Sequence, residues 1–425
     1  MNVTLELKED VVTTSMVAKH AKWPAKADAI FAIAGKAQDA INKYGKENVT
    51  NSTLGALMDD DGKLIAFDSV FGVLKNMPNE EISAYAPIAG MPQYLEAVEE
   101  TFFAGYKPDA HIRVVATPGG TGALKVAMWN YTEEGDEILT SDWFWSPYQT
   151  ISEEAGRKIS TFKLFSDEGN FNVKDFKERF KAILNKQDRL MAIINTPAQN
   201  PTGYSVSDEE WDEILDFLKE EAKNPDKKII LLVDTAYIDF AGKANEKREF
   251  FRKFSNLPEN LLVVAAFSTS KGYTMYGMRL GAIIGISSNE AIADEFKVSS
   301  LHSGRANWSN GNRGAMLVVS EIFNNKELTA KYEKEKQENK IMLRKRAEAF
   351  VEAADEVGLE LLPYRDGFFV SIPCDQPYEI SEALTKENIF MVALGKGIRF
   401  AVCAVSEEKC RKAPKVIKEV MDRFK

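Results

Sequence analysis

Lys271 occupies an unusual position for a lysine, directly after the apolar run LLVVAAF and among the small hydroxyl residues Ser268, Thr269 and Ser270. Most lysines are solvated at the protein surface. Here the preceding run would deliver the amine from the interior, where it could form a Schiff base with a carbonyl group. Eight residues later, Arg279 lies in the small, apolar segment GMRLGAIIG, and its guanidinium could bind a phosphate through two hydrogen bonds.

Four apolar runs, including the one before Lys271, end abruptly in polar or glycine-bearing segments. The runs and the segments that follow them are Ile112–Ala116 before 117–122, Leu190–Ile194 before 195–203, Ile229–Val233 before 234–237 and Leu261–Phe267 before 268–271. Apolar runs that alternate with helical stretches indicate a mostly parallel sheet buried on both faces. Ligands of open α/β sheets bind beyond the carboxyl ends of the strands, so the four segments predict one site.

The first of these segments, TPGGTG, is typical of a turn that opens a helix. The backbone amides of Gly119 and Gly120 at a helix N-terminus would suit a phosphate, and Thr121 adds a hydroxyl donor. The spacing matches neither GxxxxGK[ST] nor GxGxxG, which disfavours a nucleoside triphosphate or NAD. A tight structural turn is the alternative interpretation.

Asp234 ends the run IILLVD. A carboxylate at the end of a buried strand needs a cationic partner, and the protonated nitrogen of a pyridine ring would be one. The alternative is an ordinary aspartate that caps a following helix.

The segments TPGGTGALKVA, NPTG, DxAY and SxSK, followed by Arg279, resemble the motifs of fold-type I aminotransferases in order and spacing. The likeness runs from about residue 50 to the C-terminus and is closest to the class I group, which contains aspartate and aromatic aminotransferases. It implies pyridoxal 5'-phosphate as cofactor and a homodimer whose sites lie at the subunit interface. It also implies a ping-pong transamination between an amino acid, aspartate or aromatic, and a 2-oxo acid such as 2-oxoglutarate.

The same resemblance assigns roles to individual residues. Lys271, Asp234 and Tyr237 match the catalytic positions. The cofactor-binding positions are Gly119, Gly120, Thr121, Trp145, Asn200, Asp234, Tyr237, Ser268, Ser270, Lys271, Arg279 and, from the other subunit, Tyr85. The substrate-binding positions are Gly55, Trp145, Asn200, Arg305 and Arg399. Arg399 matches the arginine that binds the α-carboxylate, and Arg305 matches one that reaches the neighbouring subunit to bind a dicarboxylate's distal carboxylate.

The sequence departs from the family pattern near the aromatic residue expected to stack on the cofactor. Tyr148 stands where aspartate aminotransferases often have histidine, and Trp143 competes with Trp145 for the stacking role, although the spacing favours Trp145. Two other functions remain alternatives. One is another fold-type I activity, such as a carbon–sulfur β-lyase or a cyclopropane-carboxylate synthase. The other is a pyridoxal-phosphate-sensing regulator, which would want a DNA-binding segment or a basic tail.

Composition excludes several other classes of function. The formal net charge of −10 disfavours nucleic-acid binding, which needs a basic surface. The three cysteines form no CxxC pair and the three histidines are far apart, so neither a disulfide framework nor a metal site is expected. No apolar run approaches a membrane span and the first residues are acidic, which predicts a cytoplasmic protein with small-molecule substrates.

These residues require an α/β fold to position them. We expect a large domain with a mostly parallel sheet flanked by helices, plus a smaller α+β domain built from both chain ends, as in aspartate aminotransferase. The expected division is 1–65 for an N-terminal arm and part of the small domain, 66–325 for the large cofactor-binding domain and 326–425 for the small domain. Further expected elements are helices over 25–43, 331–357 and 407–423 and strands over 368–372 and 398–402. The charged residues of 331–357 are expected on a solvated face.

Overall fold

The computed structural model describes residues 16–23 and 29–424. Its helices are Ala29–Tyr44 (α1), Asp68–Asn76 (α2), Asn79–Ser83 (α3), Pro92–Phe103 (α4), Gly119–Tyr131 (α5), Pro147–Glu154 (α6), Val173–Leu184 (α7), Asp208–Glu221 (α8), Thr269–Gly272 (α9), Glu290–Asn307 (α10), Arg313–Asn324 (α11), Lys326–Glu356 (α12), Pro377–Thr385 (α13) and Glu407–Met421 (α14). Its strands are Thr50–Ser52 (β1), His111–Thr117 (β2), Glu137–Ser141 (β3), Lys158–Phe162 (β4), Arg189–Asn195 (β5), Lys228–Asp234 (β6), Leu261–Ser268 (β7), Gly281–Ser287 (β8), Phe369–Pro373 (β9), Ile389–Leu394 (β10) and Gly397–Ala401 (β11).

In the described part of the chain, seven strands form the large sheet, in the order β2-β8-β7-β6-β5-β3-β4. Neighbours pair in parallel except β8, which runs antiparallel to both β2 and β7. Every residue of β7 is buried. Consecutive residues of β6 face different cores: Leu231 belongs to the apolar cluster that contains Trp211 of α8, whereas Leu232 belongs to the cluster that contains Leu124 of α5. Helices therefore cover both faces, and the expected mostly parallel sheet is confirmed.

The small sheet draws on both ends of the chain. Strand β1 pairs in parallel with β10, and β10, β11 and β9 follow in antiparallel order. A separate apolar cluster joins this sheet to α12 and α14, with Phe350 and Ile417 among its fully buried members. The expected smaller α+β part from both chain ends is confirmed.

The apolar runs of the sequence all lie in strands, each within one residue or two of its expected bounds. Residues 25–28 of the expected N-terminal helix lie outside the described residues, and its remainder forms α1. One expectation about α12 was wrong: its charged residues are not all solvated, because Lys340 and Arg346 are buried. Arg346 forms an ion pair with Asp60 at 2.6 Å and donates a hydrogen bond to the carbonyl oxygen of Met58. A loop that is distant in the sequence therefore neutralises the charge of this buried arginine. In the described residues, no helix is long and apolar enough to cross a bilayer.

Candidate active site

The carboxyl ends of the central strands meet at one small cavity of about 160 Å³. Register aligns Asn195 of β5 with Asp234 of β6, and the adjacent β7 ends at Ser268. The lining residues are Gly120, Thr121, Leu124, Trp145, Asn195, Asn200, Asp234, Ala236, Tyr237, Ser268, Ser270, Lys271 and Arg279. All four polar segments that follow the apolar runs in the sequence therefore converge here.

Lys271 lies in the single turn of α9, immediately beyond β7. The Ser268 hydroxyl caps this turn by accepting a hydrogen bond from the Ser270 N–H. The Lys271 Nζ lies 5.4 Å from the ring centroid of Tyr237 and 5.3 Å from that of Tyr276. Burial lowers the pKa of Lys271 to about 8. An amine with this pKa is partly neutral near neutral pH, and only the neutral form can attack a carbonyl or accept a proton.

Gly272 lets the chain after Lys271 pack closely against Asp239. A Cβ atom at this position would overlap the carboxylate of Asp239. Asp239 is fixed there by a buried ion pair with Arg248 at 2.7 Å. Although burial works in the opposite direction, Arg248 and neighbouring lysines hold the pKa of Asp239 below its usual value. The lysine-bearing turn thus packs against an anchored carboxylate.

Asp234 is buried at the floor of the cavity with polar but neutral hydrogen-bond donors. The Tyr148 hydroxyl donates to Oδ2 at 2.5 Å, and the Ala236 N–H donates to Oδ1 at 3.1 Å. Burial raises the pKa of Asp234, while these two hydrogen bonds and the charge of Lys271 oppose the rise. Burial of a carboxylate without a direct cationic partner is costly, so a cation in the cavity would be bound favourably.

An anion cradle is formed at the N-terminus of α5, where Gly120 and Thr121 line the same cavity. Gly119 has a φ of 71°, and a Cβ there would come within 2.5 Å of Arg279 Nη2. Arg279 Nη1 donates to Ser270 Oγ at 3.3 Å and to the Tyr276 carbonyl oxygen at 3.0 Å. The first N–H groups of a helix have no partner within the helix, and together with a guanidinium they suit a phosphate.

Arg399, from β11 of the small sheet, reaches the same region. Its Nη1 donates to Asn200 Oδ1 at 3.0 Å and its Nη2 to the Thr53 carbonyl oxygen at 2.9 Å. Phe369 lies under the guanidinium, with 4.3 Å from the Arg399 Cζ to the ring centroid. Among the described residues, nothing accepts a hydrogen bond from the buried Arg399 Nε. Asn200 also donates to the Tyr237 hydroxyl at 3.2 Å, so the two sheets are joined through this amide.

The two tryptophans of the sequence WFW occupy different environments. Trp145 lines the cavity and lies edge-on to Tyr148, with ring centroids 5.6 Å apart. Trp143 is buried in the core, and its Cη2 would lie 2.7 Å from a Cβ at Gly397. Only Trp145 is therefore available to a ring bound in the cavity.

Five residues assigned by resemblance do not line the cavity: Gly119 and Arg399, whose contacts are given above, and Tyr85, Arg305 and Gly55. Tyr85 has 87% of its surface exposed. Arg305, at the end of α10, is also exposed, and its Nη1 donates to Ser309 Oγ at 2.6 Å. Gly55 lies against Phe369, whose Cζ would be 2.6 Å from a Cβ on the glycine. Tyr85 and Arg305 are therefore not part of the cavity in the single chain.

The structure adds residues that the sequence did not single out as site residues. Tyr148 was noted only as a departure from the family pattern, yet it contacts Asp234 directly. Tyr276 lies over Lys271, and its hydroxyl oxygen accepts a hydrogen bond from the Leu57 N–H at 2.9 Å. The position of Tyr276, five residues after Lys271 in the sequence, was the signal that could have identified it as a site residue. In the described part of the chain, no group of three or more His, Cys, Asp or Glu side chains is arranged to hold a metal ion.

A half-buried lysine, a buried carboxylate and an anion cradle at the carboxyl edge of an α/β sheet indicate an enzyme site rather than a simple binding surface. The family described as aminotransferase class I and II matches residues 53–417. The chain belongs to this family and is an enzyme of the aminotransferase class.

Individual relatives agree with this assignment. An aminotransferase from Anaerococcus prevotii DSM 20548 is 47% identical, with a TM-score of 0.94 over 96% of this chain and 100% of that chain. Aspartate aminotransferase of Escherichia coli K12 is 25% identical over 371 residues, which are 86% of this chain and 89% of the relative. An aromatic-amino-acid aminotransferase from Burkholderia pseudomallei, covalently bound to pyridoxal phosphate in its structure, shares the fold. Its TM-score is 0.76 at 21% identity over 94% of this chain and 98% of that chain.

Proposed function

We propose that this protein catalyses pyridoxal-phosphate-dependent transamination between an amino acid, aspartate or aromatic, and a 2-oxo acid, with 2-oxoglutarate as the second oxo acid. The observation that carries the proposal is the convergence of Lys271, Asp234 and Arg279 on one cavity. Membership of the aminotransferase family supports the reaction type, and the two named activities among the relatives support the substrate classes.

The chemistry of the cavity fits pyridoxal phosphate. Asp234 hydrogen-bonds only to neutral donors among the described residues, so its carboxylate can accept a protonated ring nitrogen. Asn200 and Tyr237 offer two polar groups for the ring oxygen, and Trp145 offers an aromatic face. The phosphate group would bind in the cradle formed by Gly119, Gly120, Thr121, Ser268, Ser270 and Arg279.

The residues of the chain have separate tasks in the reaction. Bound pyridoxal phosphate supplies an electron sink that stabilises the charge left when a proton leaves the substrate α-carbon. Lys271 would hold the cofactor covalently and, once released, would accept and return that proton at Nζ, for which its lowered pKa of about 8 is suited. Asp234 would keep the ring nitrogen protonated. Tyr237 and Asn200 would hold the ring oxygen in place.

Substrate recognition uses two arginines of different character. Arg399 binds the α-carboxylate, since its guanidinium is buried and fixed and its Nε has no acceptor among the described residues. Gly55, which packs directly against the Phe369 ring that lies under Arg399, would lie beside that carboxylate. Arg305 is exposed in the single chain and binds the distal carboxylate of a dicarboxylic substrate from the neighbouring subunit.

The division into domains follows from this assignment and is part of the proposal. Residues 66–325 form the cofactor-binding domain that carries Lys271, and residues 326–425 with part of 1–65 form the small domain that carries Arg399. The boundary at 325 coincides with Asn325, whose side chain caps the start of α12. The substrate carboxylate would thus bind between the two domains.

A homodimer with shared sites is also proposed, on the exposure of Tyr85 and Arg305. Mixing Tyr85→Phe chains with Lys271→Ala chains should yield heterodimers in which the only lysine-bearing site receives an unmodified Tyr85 from the partner. That site should bind the cofactor with wild-type affinity. Retention of the Tyr85→Phe defect in the heterodimer would place Tyr85 in its own chain's site.

The central test is the identity of the lysine that binds the cofactor. Borohydride reduction of the holoenzyme followed by peptide mapping should place the pyridoxyl group on Lys271. Lys340 is an internal control, because burial lowers its pKa to about 8 as well. An adduct on Lys340 or on any other lysine would contradict the proposal.

The reaction type is tested by single half-reactions. Aspartate, glutamate, phenylalanine and tyrosine are added one at a time, and the absorbance of protein-bound pyridoxal phosphate is followed. A transaminase loses this absorbance with its preferred donors and regains it with 2-oxoglutarate. Release of ammonia and pyruvate from a β-substituted amino acid, without that loss, would instead indicate a lyase.

A further inference from the structure

Tyr148 is a buried residue that contacts the carboxylate of Asp234 directly. It is the second residue of α6, has no exposed surface, and donates its hydroxyl proton to Asp234 Oδ2 at 2.5 Å. Phe144 stacks against its ring at 6.4 Å between centroids, and Trp145 packs edge-on at 5.6 Å. The phenol is therefore locked in the orientation that points its hydroxyl at Asp234.

The electrostatic character of this contact is its distinctive property. A phenol carries no positive charge, and burial raises the pKa of Tyr148 further above its usual value. Tyr148 can therefore stabilise the ionised carboxylate by a hydrogen bond without cancelling its charge. Related aspartate aminotransferases often have a histidine at this position, and an imidazole can become cationic and compete with a ring nitrogen for the same carboxylate.

We propose that Tyr148 is a positioning residue that holds Asp234 as a fully anionic partner for the protonated ring nitrogen of the cofactor. The inference rests on the proposed function, because it concerns the carboxylate that would face that nitrogen. It predicts that the Tyr148 hydroxyl contributes to selection of a basic ring nitrogen, and not simply to the shape of the cavity.

The test compares two ligands of the cofactor-free protein. One is pyridoxal phosphate, and the other is its analogue with carbon in place of the ring nitrogen, which cannot be protonated there. The wild-type protein should bind pyridoxal phosphate more tightly than the analogue. Tyr148→Phe keeps the ring packing and removes only the hydroxyl, and it should reduce this preference, the ratio of the two Kd values, by about tenfold or more, the effect of losing a charge-assisted hydrogen bond.

A matched control and a double variant separate this role from packing. The Tyr131 hydroxyl is also buried but has no hydrogen-bond partner among the described residues, so Tyr131→Phe should leave the ratio unchanged. In an Asp234→Asn background the preference should already be low, and adding Tyr148→Phe should not change it further.

Each outcome decides one question. If wild-type protein binds neither ligand, the proposed function fails. If wild-type protein prefers pyridoxal phosphate but Tyr148→Phe weakens both ligands equally, the proposed function stands and the role of Tyr148 is wrong. If Tyr148→Phe does not fold, the Tyr148→His variant is measured instead. Because its imidazole can become cationic, the preference for pyridoxal phosphate, given by the ratio of the two Kd values, should fall at low pH. A ratio that stays constant with pH would also overturn the proposal.

Discussion

Two lysines of this protein have the same lowered pKa, about 8 in each case because of burial, but they lie in very different surroundings. Lys271 faces the cavity of about 160 Å³ at the sheet edge. Lys340 lies at a larger cleft of about 560 Å³, formed by residues 240–247, 340–352 and 364–367. We call this second region the Lys340 cleft.

The difference lies in what the amine can reach. Lys340 Nζ donates to the carbonyl oxygens of Ala241 at 2.7 Å and Ala244 at 3.3 Å, so backbone acceptors hold it as an ammonium in a structural position. Lys271 Nζ instead lies over the faces of Tyr237 and Tyr276, and it lines the same cavity as Asp234 and Arg279. Neither the size of a cavity nor the pKa of an amine therefore identifies the reactive lysine. Convergent groups that fit one ligand do.

The largest expected effect is the contrast between removal of the two amines. Lys271→Ala should lower turnover by on the order of four powers of ten or more, because covalent attachment and proton transfer are both lost. Lys340→Met should leave turnover within about twofold, since a methionine fills the volume of the lysine stem without a charge to solvate. The measurement is kcat with the preferred donor, with cofactor content checked by absorbance. Equal losses in both variants would erase the distinction between the two regions.

Next in size is the contrast between two buried aspartates. Asp234→Asn removes the carboxylate proposed to keep the ring nitrogen protonated, and turnover should fall by on the order of three powers of ten while the cofactor still binds. Asp239→Asn instead leaves Arg248 buried without its partner and should lower the free energy of unfolding by about 3 kcal/mol or more. Because burial raises the pKa of Asp234, its replacement should not lower that free energy.

Both variants are checked by measuring their turnover and, from urea unfolding, their free energy of unfolding. Normal turnover in Asp234→Asn would contradict its assigned role. A loss of stability in Asp234→Asn as large as that in Asp239→Asn would show that Asp234 is a structural residue.

The sequence predicted the part of the site that depends on the sheet. Each continuous apolar run had to be a strand buried on both faces, and residues that follow parallel strands meet at one edge. That reasoning alone brings Asn195, Asp234, Ser268 and Lys271 together. The antiparallel direction of β8 was not predicted, because an apolar segment such as GAIIGIS carries no signal of direction.

Contacts made across long sequence separations escaped prediction for a physical reason. The hydrogen bond from Tyr148 to Asp234 spans 86 residues and depends on where α6 packs. Lys340 and Arg346 lie in a charged run that is typical of a solvated helix, yet loops that pack on α12 bury them. In both cases the sequence shows the donor but not the acceptor.

The third prediction extends the comparison to the open side of the cavity. Arg305→Leu should lower kcat/KM for aspartate, glutamate and 2-oxoglutarate by about a hundredfold, because a dicarboxylate loses one charged partner. The values for phenylalanine and tyrosine should change by a few-fold at most. Arg179→Leu is a matched control, since Arg179 is exposed and its one ion pair within the described residues is with Asp175 on the same helix. Equal losses for both substrate classes, or none for either, would exclude the dicarboxylate role.

The smallest expected effect is a pH dependence that distinguishes Lys271 from an ordinary lysine. Burial disfavours the ammonium form, so the pKa of Lys271 falls to about 8 and the amine loses its proton at a lower pH than usual. The rate at which cofactor-free protein captures pyridoxal phosphate should therefore rise by about tenfold between pH 7 and pH 9 and then level off. The capture rate of an unperturbed lysine would continue to rise up to about pH 10.4.

The capture rate is measured by stopped-flow absorbance. A parallel reaction of pyridoxal phosphate with a model amine, corrected for the titration of that amine, gives the pH dependence of the aldehyde itself, which is then subtracted from the profile of the protein. Lys340→Met should give the same profile, because Lys340 holds no cofactor in this scheme. If the capture rate still rises steeply above pH 9, or if the Lys340→Met variant shows no plateau, the environment of Lys271 does not activate its amine.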